Sequence, residues 1–283
     1  MKDFLLLDSP LLEEVNLERV FSSQNDYEMI LIKKLCSLKF LKIIYLKLYS
    51  ITEKEIIKIK SKNTSVTEIH INLDYEIEGI LYHLQNIFIN LNKLFIDIKK
   101  SEENKSQETI IKIEENSNSK VTNLDIKISK NENYKICCQS YEKLESIRFV
   151  NNAEDSIIKK ILPIFNDKCD IIFKSLKLFD YYQCYAKDIN ILKNIYNNLD
   201  NIPNIEEFYI EFKLKDISKK FYKSFIEKIV SNKLIKKVSI NIGNSSEELS
   251  ITELKKIFSN INFRKFIEIN IYKRDYYDIC CIN

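Results

Sequence analysis

An α/β array of parallel strands, each followed by a helix that returns behind the sheet, is the fold class this sequence predicts. Three observations predict it. A short apolar pattern recurs along the chain, and its copies stand at near-regular intervals. Most of those intervals hold a segment whose apolar residues fall at helical spacing.

The pattern reads apolar, two variable, apolar, one polar, apolar. It begins as Leu12-Val15-Leu17, Ile43-Leu46-Leu48, Val66-Ile69-Ile71, Leu91-Leu94-Ile96 and Val121-Leu124-Ile126. It continues as Leu144-Ile147-Phe149, Phe173-Leu176-Leu178, Ile205-Phe208-Ile210, Ile235-Val238-Ile240 and Phe266-Ile269-Ile271. The last two apolar residues of each copy alternate with a non-aliphatic one, the period of a strand with one buried face. The central residues, Val15 to Ile269, lie between 23 and 32 residues apart, about 28 on average, as in short-period repeat proteins.

The helices come from the intervals. Ile77, Ile80, Leu81, Leu84, Ile87 and Phe88 fall on one helical stripe, as do Ile189, Leu192, Ile195 and Leu199, and likewise Leu254, Ile257, Phe258 and Ile261. Ser50-x-x-Glu53 and Ser250-x-x-Glu253 have the form of a capping box, in which a hydroxyl and a carboxylate satisfy the first N–H groups of a helix. Strands and helices alternating at so short a period imply parallel strands with crossover helices. Two stretches break the rhythm. Ser101 to Lys120 is polar and low in complexity and reads as an insertion with at most a short helix. The interval Asn131 to Lys143 is short, with Cys137-Cys138 on a single helical turn. Pro163 is expected to kink or end a helix begun near Asp155.

Composition narrows the function. Apolar residues make up 45% and charged residues 30%, enough to build a core and too apolar for a disordered chain. The 44 basic and 41 acidic residues nearly cancel, which argues against a nucleic-acid or membrane-surface footprint. The many Ile, Lys and Asn residues suggest coding from an AT-rich genome. The apolar run Phe4 to Leu7 is too short for a signal peptide, and no run reaches membrane-span length. A soluble cytoplasmic protein is expected. Seven cysteines, odd in number and without a C-x-x-C, are expected to be reduced structural thiols rather than a disulfide framework or zinc site.

The repeats resemble leucine-rich repeats, nearest the ribonuclease-inhibitor-like class, over most of Leu12 to Ile271. Residues such as Val15-Leu17 and Leu46-Leu48 take the inward strand positions. The ninth position, where that family places a buried Asn, departs from it: of Val20, Ile51, Asp74, Lys99, Ser129, Asn152, Tyr181, Lys213, Gly243 and Arg274, only Asn152 matches. The resemblance implies one solenoid over residues 1–283, of about ten strand-helix units, with a parallel sheet on its concave face. Each repeat must stack on neighbours to bury its apolar faces, and terminal repeats need caps.

The same resemblance implies a partner bound on the concave face. The outward strand positions give a central column that includes Lys47, His70, Phe95, Asp125, Arg148, Lys177 and Tyr209. Tyr45, Phe179 and Tyr272 stand in flanking columns. Aromatic residues among mixed charges suit a protein partner better than a phosphate backbone.

The search for chemistry excludes more than it finds. Gly79 and Gly243 are the only glycines, so neither a phosphate-binding loop nor a dinucleotide fingerprint can be written. The two histidines, His70 and His83, sit apart, and no carboxylates converge as an acid–base pair. No enzyme, no cofactor and no metal is expected. The end, Cys280-Cys281-Ile282-Asn283, has the outline of a prenylation signal at Cys280, but Asn is not a usual last residue, and two cysteines ending a strand is the expectation. The sequence therefore predicts a protein-interaction scaffold, with a ubiquitin-ligase substrate receptor as one version. A regulator of an enzyme such as a small GTPase is the alternative.

Overall fold

The computed structural model describes residues 11–17, 25–48, 51–73, 80–99, 109–114, 120–129, 134–139, 143–151, 175–183, 190–213, 218–243, 252, 256, 266–272 and 277–282. They fall into two compact units, Met1–Leu144 and Glu145–Asn283. Both units are α/β, and their repeated element is the parallel strand.

The first unit holds β1 (Glu14–Asn16), α1 (Asn25–Ser37), β2 (Ile43–Leu48), α2 (Glu53–Ile56) and β3 (Glu68–Leu73). It continues with α3 (Ile80–Ile87), β4 (Lys93–Lys99), β5 (Thr109–Glu114), β6 (Asn123–Ser129) and β7 (Tyr134–Gln139). β1, β2, β3, β4 and β6 are neighbours in that order, every pair parallel. Val15, Ile44, Ile69, Leu94 and Leu124 stand in one register row, and Leu46, Ile71, Ile96 and Ile126 in the next. All nine are buried, each contributing on the order of 1.5–3 kcal/mol before chain entropy is set against it.

A third buried row, Leu41, Val66, Leu91 and Val121, precedes the strands. Beside it the backbone repeats one device. The Lys42 carbonyl accepts from the N–H groups of Thr67 and Glu68, that of Thr67 from Asn92 and Lys93, and that of Asn92 from Thr122 and Asn123, at 2.9–3.1 Å. One carbonyl thus holds two successive donors of the next strand, which fixes its entry.

Helix faces close the core from behind. α1 buries Leu31, Ile32, Leu35 and Cys36, and α3 buries Leu81, Leu84 and Ile87 with Phe88 after them. The buried Glu28 of α1 accepts the Ile51 N–H at 2.6 Å. Asn63 bridges the backbone: its Nδ2 donates to the Leu38 carbonyl at 2.9 Å, and its Oδ1 accepts from the N–H groups of Ser65 and Val66 at 2.8 and 2.9 Å. This bridging Asn stands in the turn before β3, not at the ninth position of a repeat. The cap of α2 also differs from expectation. It is Thr52 with Glu55, whose carboxylate accepts the Thr52 N–H at 2.7 Å and its hydroxyl at 2.8 Å. Glu53 begins the helix, and Ser50 lies outside the described residues.

The polar insertion near 101–120 contains β5, and the short interval after β6 is β7, not a helical turn. The two pair in parallel, Thr109 with Tyr134 through Glu114 with Gln139, as a separate two-stranded sheet. Ile110, Ile111 and Ile113 are β-branched and favour extended chain once neighbours are available, which the polar flank of this stretch conceals. Here a strand takes the place of the returning helix.

The second unit holds β8 (Ser146–Asn151), β9 (Leu178–Gln183), α4 (Asn190–Asn198) with a 3-10 turn Leu199–Asn201, and β10 (Glu207–Lys213). It continues with α5 (Lys219–Ser231), β11 (Lys237–Gly243), β12 (Phe266–Tyr272) and β13 (Tyr277–Ile282). β8 to β12 pair in order and in parallel. β13 returns antiparallel to β12, with Tyr272 opposite Tyr277 and Cys280 opposite Ile269. Four intervening residues allow a hairpin but no crossover. Glu145, Lys177 and Glu206 repeat the doubly accepting carbonyl of the first unit. Behind the sheet lie Leu192 and Ile195 of α4 and Tyr222, Phe225, Ile226 and Ile229 of α5, all buried.

The observed register corrects three repeats. Val15 aligns with Ile44, not Leu46. Ile147 aligns with Phe179, not Leu176. Val238 aligns with Ile267, not Ile269. Shifts of two leave the face unchanged, but the shift of three in β9 turns it over. Phe179, expected to face outward, is fully buried and stacks on Phe208 at 5.3 Å, and Tyr181 is fully buried and stacks on Phe149 at 5.7 Å. Burial pushes the Tyr181 phenol well above its ordinary value. The stripe Leu254–Ile261, Ser250, Pro163 and Asp155 lie outside the described residues. No described helix is long and apolar enough to cross a membrane.

Candidate partner-binding face

Strand alternation that turns Ile44, Ile69 and Leu94 inward turns their neighbours outward. In the first unit the outward row is Asn16, Tyr45, His70, Phe95 and Asp125, in strict register across β1, β2, β3, β4 and β6. Three rings of this row stack continuously. Tyr45 and His70 have centroids 4.2 Å apart at 19°, and His70 and Phe95 have centroids 4.1 Å apart at 2°. The spacing is set by the sheet itself, since neighbouring strands lie about 4.8 Å apart. All three side chains are half-buried.

Charges brace the stack on one side. His70 Nε2 lies 2.7 Å from Glu68 Oε1, and Lys93 Nζ lies 3.2 Å from Glu68 Oε2. Burial alone would raise the Glu68 carboxyl, but the His70 and Lys93 hydrogen bonds and charges outweigh it and hold it below the usual carboxylate range. On the other side runs the row Lys47, Asn72, Asp97 and Lys127, with Lys127 Nζ 3.7 Å from Asp97. Asn72 is 8% exposed, and its amide oxygen has no hydrogen-bond partner among the described residues.

The second unit carries its own outward row: Arg148, Asp180, Tyr209 and Ser239. Arg148 Nε donates to Asp180 Oδ2 at 2.7 Å. The Tyr209 hydroxyl donates to Glu207 at 2.8 Å, and Lys237 Nζ lies 2.9 Å from the other oxygen of the same carboxylate. The Lys237 hydrogen bond first, and the Tyr209 bond second, draw the Glu207 carboxyl below its ordinary value.

Of the ten residues singled out from the sequence, Tyr45, His70, Phe95 and Asp125 share one row of the first unit, Arg148 and Tyr209 share one of the second, and Phe179 is buried on the inward side. Tyr45, expected in a flanking column, is central. Lys47 moves to the next row beside Asn72, because β2 aligns two residues earlier than the triplet suggested. Lys177 leaves the face altogether. It is an exposed residue before β9, 3.5 Å from Glu145, at the rim of an open cleft of about 390 Å³ lined also by Ser175, Asn204, Glu206, Leu234 and Lys236. Tyr272 ends β12 opposite Tyr277, and its backbone alone is described. Sequence reasoning missed Asp180 and Asn72. Asp180 was hidden by the slipped register of β9, whereas Asn72 was legible as the outward residue two beyond His70.

Among the described residues, no three His, Cys, Asp or Glu side chains stand where they could hold a metal ion. No protein-family model matches the chain, and no curated protein and no solved structure matches it.

Proposed function

We propose that this chain is a non-enzymatic protein-interaction module of the leucine-rich-repeat kind, holding a protein partner on the outer face of its parallel strands. The observation that carries the reading is the Tyr45–His70–Phe95 stack. Rigid, half-buried aromatic side chains lose little entropy on binding and serve as anchors at protein interfaces. Their surroundings favour protein over nucleic acid, because Glu68 with Lys93 and Asp97 with Lys127 pair opposite charges and leave no basic stripe for a phosphate backbone. The leucine-rich-repeat assignment is supported by the buried rows Leu41-Ile44-Leu46, Val66-Ile69-Ile71 and Leu91-Leu94-Ile96 and by the repeated doubly accepting carbonyls. A substrate receptor of a ubiquitin ligase is the version of this role we put forward.

Affinity capture from cells with the wild-type chain and with the Tyr45→Ala/Phe95→Ala double variant tests the reading. Proteins retained by the wild type and lost by the variant, with circular dichroism unchanged, are the expected result. Recovery of the same proteins at the same yield would remove the face as the binding surface.

A further inference from the structure

Asn72 is built against the logic of its surroundings. It stands on β3 two residues beyond His70 on the same side, between Lys47 of β2 and Asp97 of β4 in the register. Its exposure is 8%, and its amide oxygen is buried without a partner among the described residues. An aliphatic residue would fill the same place in a strand without leaving a buried acceptor unpaired, and strand propensity also disfavours Asn. The amide therefore lowers the stability of the free protein. A side-chain amide carries a donor and an acceptor in one plane, the same pair that a peptide group presents.

We infer that the outer face takes an extended segment of a protein partner, whose backbone peptide group pairs with the Asn72 amide while a large apolar side chain rests on the ring edges of Tyr45, His70 and Phe95. The inference rests on the reading of this face as protein-binding and adds the form of the ligand. The segment is extended because a helix has already paired its own peptide groups, so only an extended chain offers a free N–H or C=O along its length. Two residues along a strand, between His70 and Asn72, measure about 7 Å. That is within the reach of one residue's backbone and its neighbour's side chain. The amide oxygen is covered in the free chain, and a half-turn of the amide group decides whether oxygen or NH2 takes that covered place and which of them turns toward the ligand. Paired charges on both flanks select neither an acidic nor a basic peptide.

Short random linear peptides, displayed and panned against the full chain, supply the probe, and the enriched peptides are then synthesised. They are expected to carry an aromatic or large aliphatic residue and to lose about tenfold in Kd against Asn72→Leu, a near-isosteric change, or against Asn72→Ala. N-methylation of one peptide amide should cause the same loss on the wild type and no further loss on Asn72→Leu. Without any peptide, Asn72→Leu should raise the melting temperature, whereas a structural role for the amide would lower it. Full affinity for Asn72→Leu beside lost affinity for Tyr45→Ala/Phe95→Ala would overturn the clamp and keep the face. Indifference to every one of these substitutions would overturn both, and failure to enrich any linear peptide would overturn the extended ligand.

Discussion

The His70 and Phe95 rings lie 4.1 Å apart and within 2° of parallel, on adjacent strands whose register places the two residues directly side by side. Parallel strands keep equivalent residues in line, so a repeat that places an aromatic at one outward position builds a stack without further design. The stack is thus a consequence of repetition, and its energy is measurable. In a double-mutant cycle of His70→Ala and Phe95→Ala, urea unfolding should give a coupling of about 0.5–1.5 kcal/mol. Additive losses would mean that the rings are neighbours without interacting.

How much of this was legible differs from row to row, for a physical reason. Val15, Ile69, Leu94, Leu124, Ile147, Phe208 and Val238 were found at their true register positions, because an alternating apolar pattern marks one buried face. β2 slipped because Leu41, Ile43, Ile44, Leu46 and Leu48 fit the pattern twice, two residues apart. β9 slipped because its inward residues are Phe179 and Tyr181, and a tyrosine buried by its neighbours looks polar in sequence. β5 was concealed by its polar flank and β7 by the shortness of its interval; among the described strands they pair with each other. The face was legible as a consequence of the rows, and Asp180 was lost with the one row that turned over.

Asn63 concentrates more hydrogen bonds than any apolar pattern reveals. Its amide reaches the end of α1 through Leu38 and fixes the turn into β3 through Ser65 and Val66, all while 3% exposed. Asn63→Ala takes the acceptor from the buried Val66 N–H and the half-buried Ser65 N–H, and leaves the Leu38 carbonyl with the longer Ser65 hydroxyl bond at 3.3 Å. A loss of about 1–3 kcal/mol is expected for each group not recovered by water. Chemical denaturation should place Asn63→Ala well below an exposed control such as Asn197→Ala, and equal midpoints would contradict the bridging role.

Tyr222 presents the opposite case. Its ring is buried in α5 beside Phe225, Ile226 and Ile229, yet its hydroxyl has no hydrogen-bond partner among the described residues, and burial drives its phenol far up from the ordinary value. Tyr222→Phe removes the unpaired hydroxyl and keeps the ring. Stability should rise by about 1 kcal/mol, roughly 2–4 °C in Tm for a chain of this size. A fall in Tm would show that the hydroxyl is satisfied in solution.

Glu68 gives the outer face a pH dependence of known sign. His70 and Lys93 hold its carboxyl below the usual value in the folded chain, against the opposing effect of burial. A carboxylate whose folded value is depressed stabilises the native state fully above its unfolded value, about 4.3, and loses that contribution as pH falls through the lower folded one. Glu68→Gln removes the titrating group and keeps the shape. The wild type should therefore melt above Glu68→Gln between pH 7 and about 5, and the two curves should converge below about pH 4. The carboxylate draws its partners from His70 at the centre of the stack and from Lys93 on the next strand, so its protonation also loosens the face. A margin that persists unchanged into acid would show that the charge on Glu68 contributes nothing to holding the rings in line.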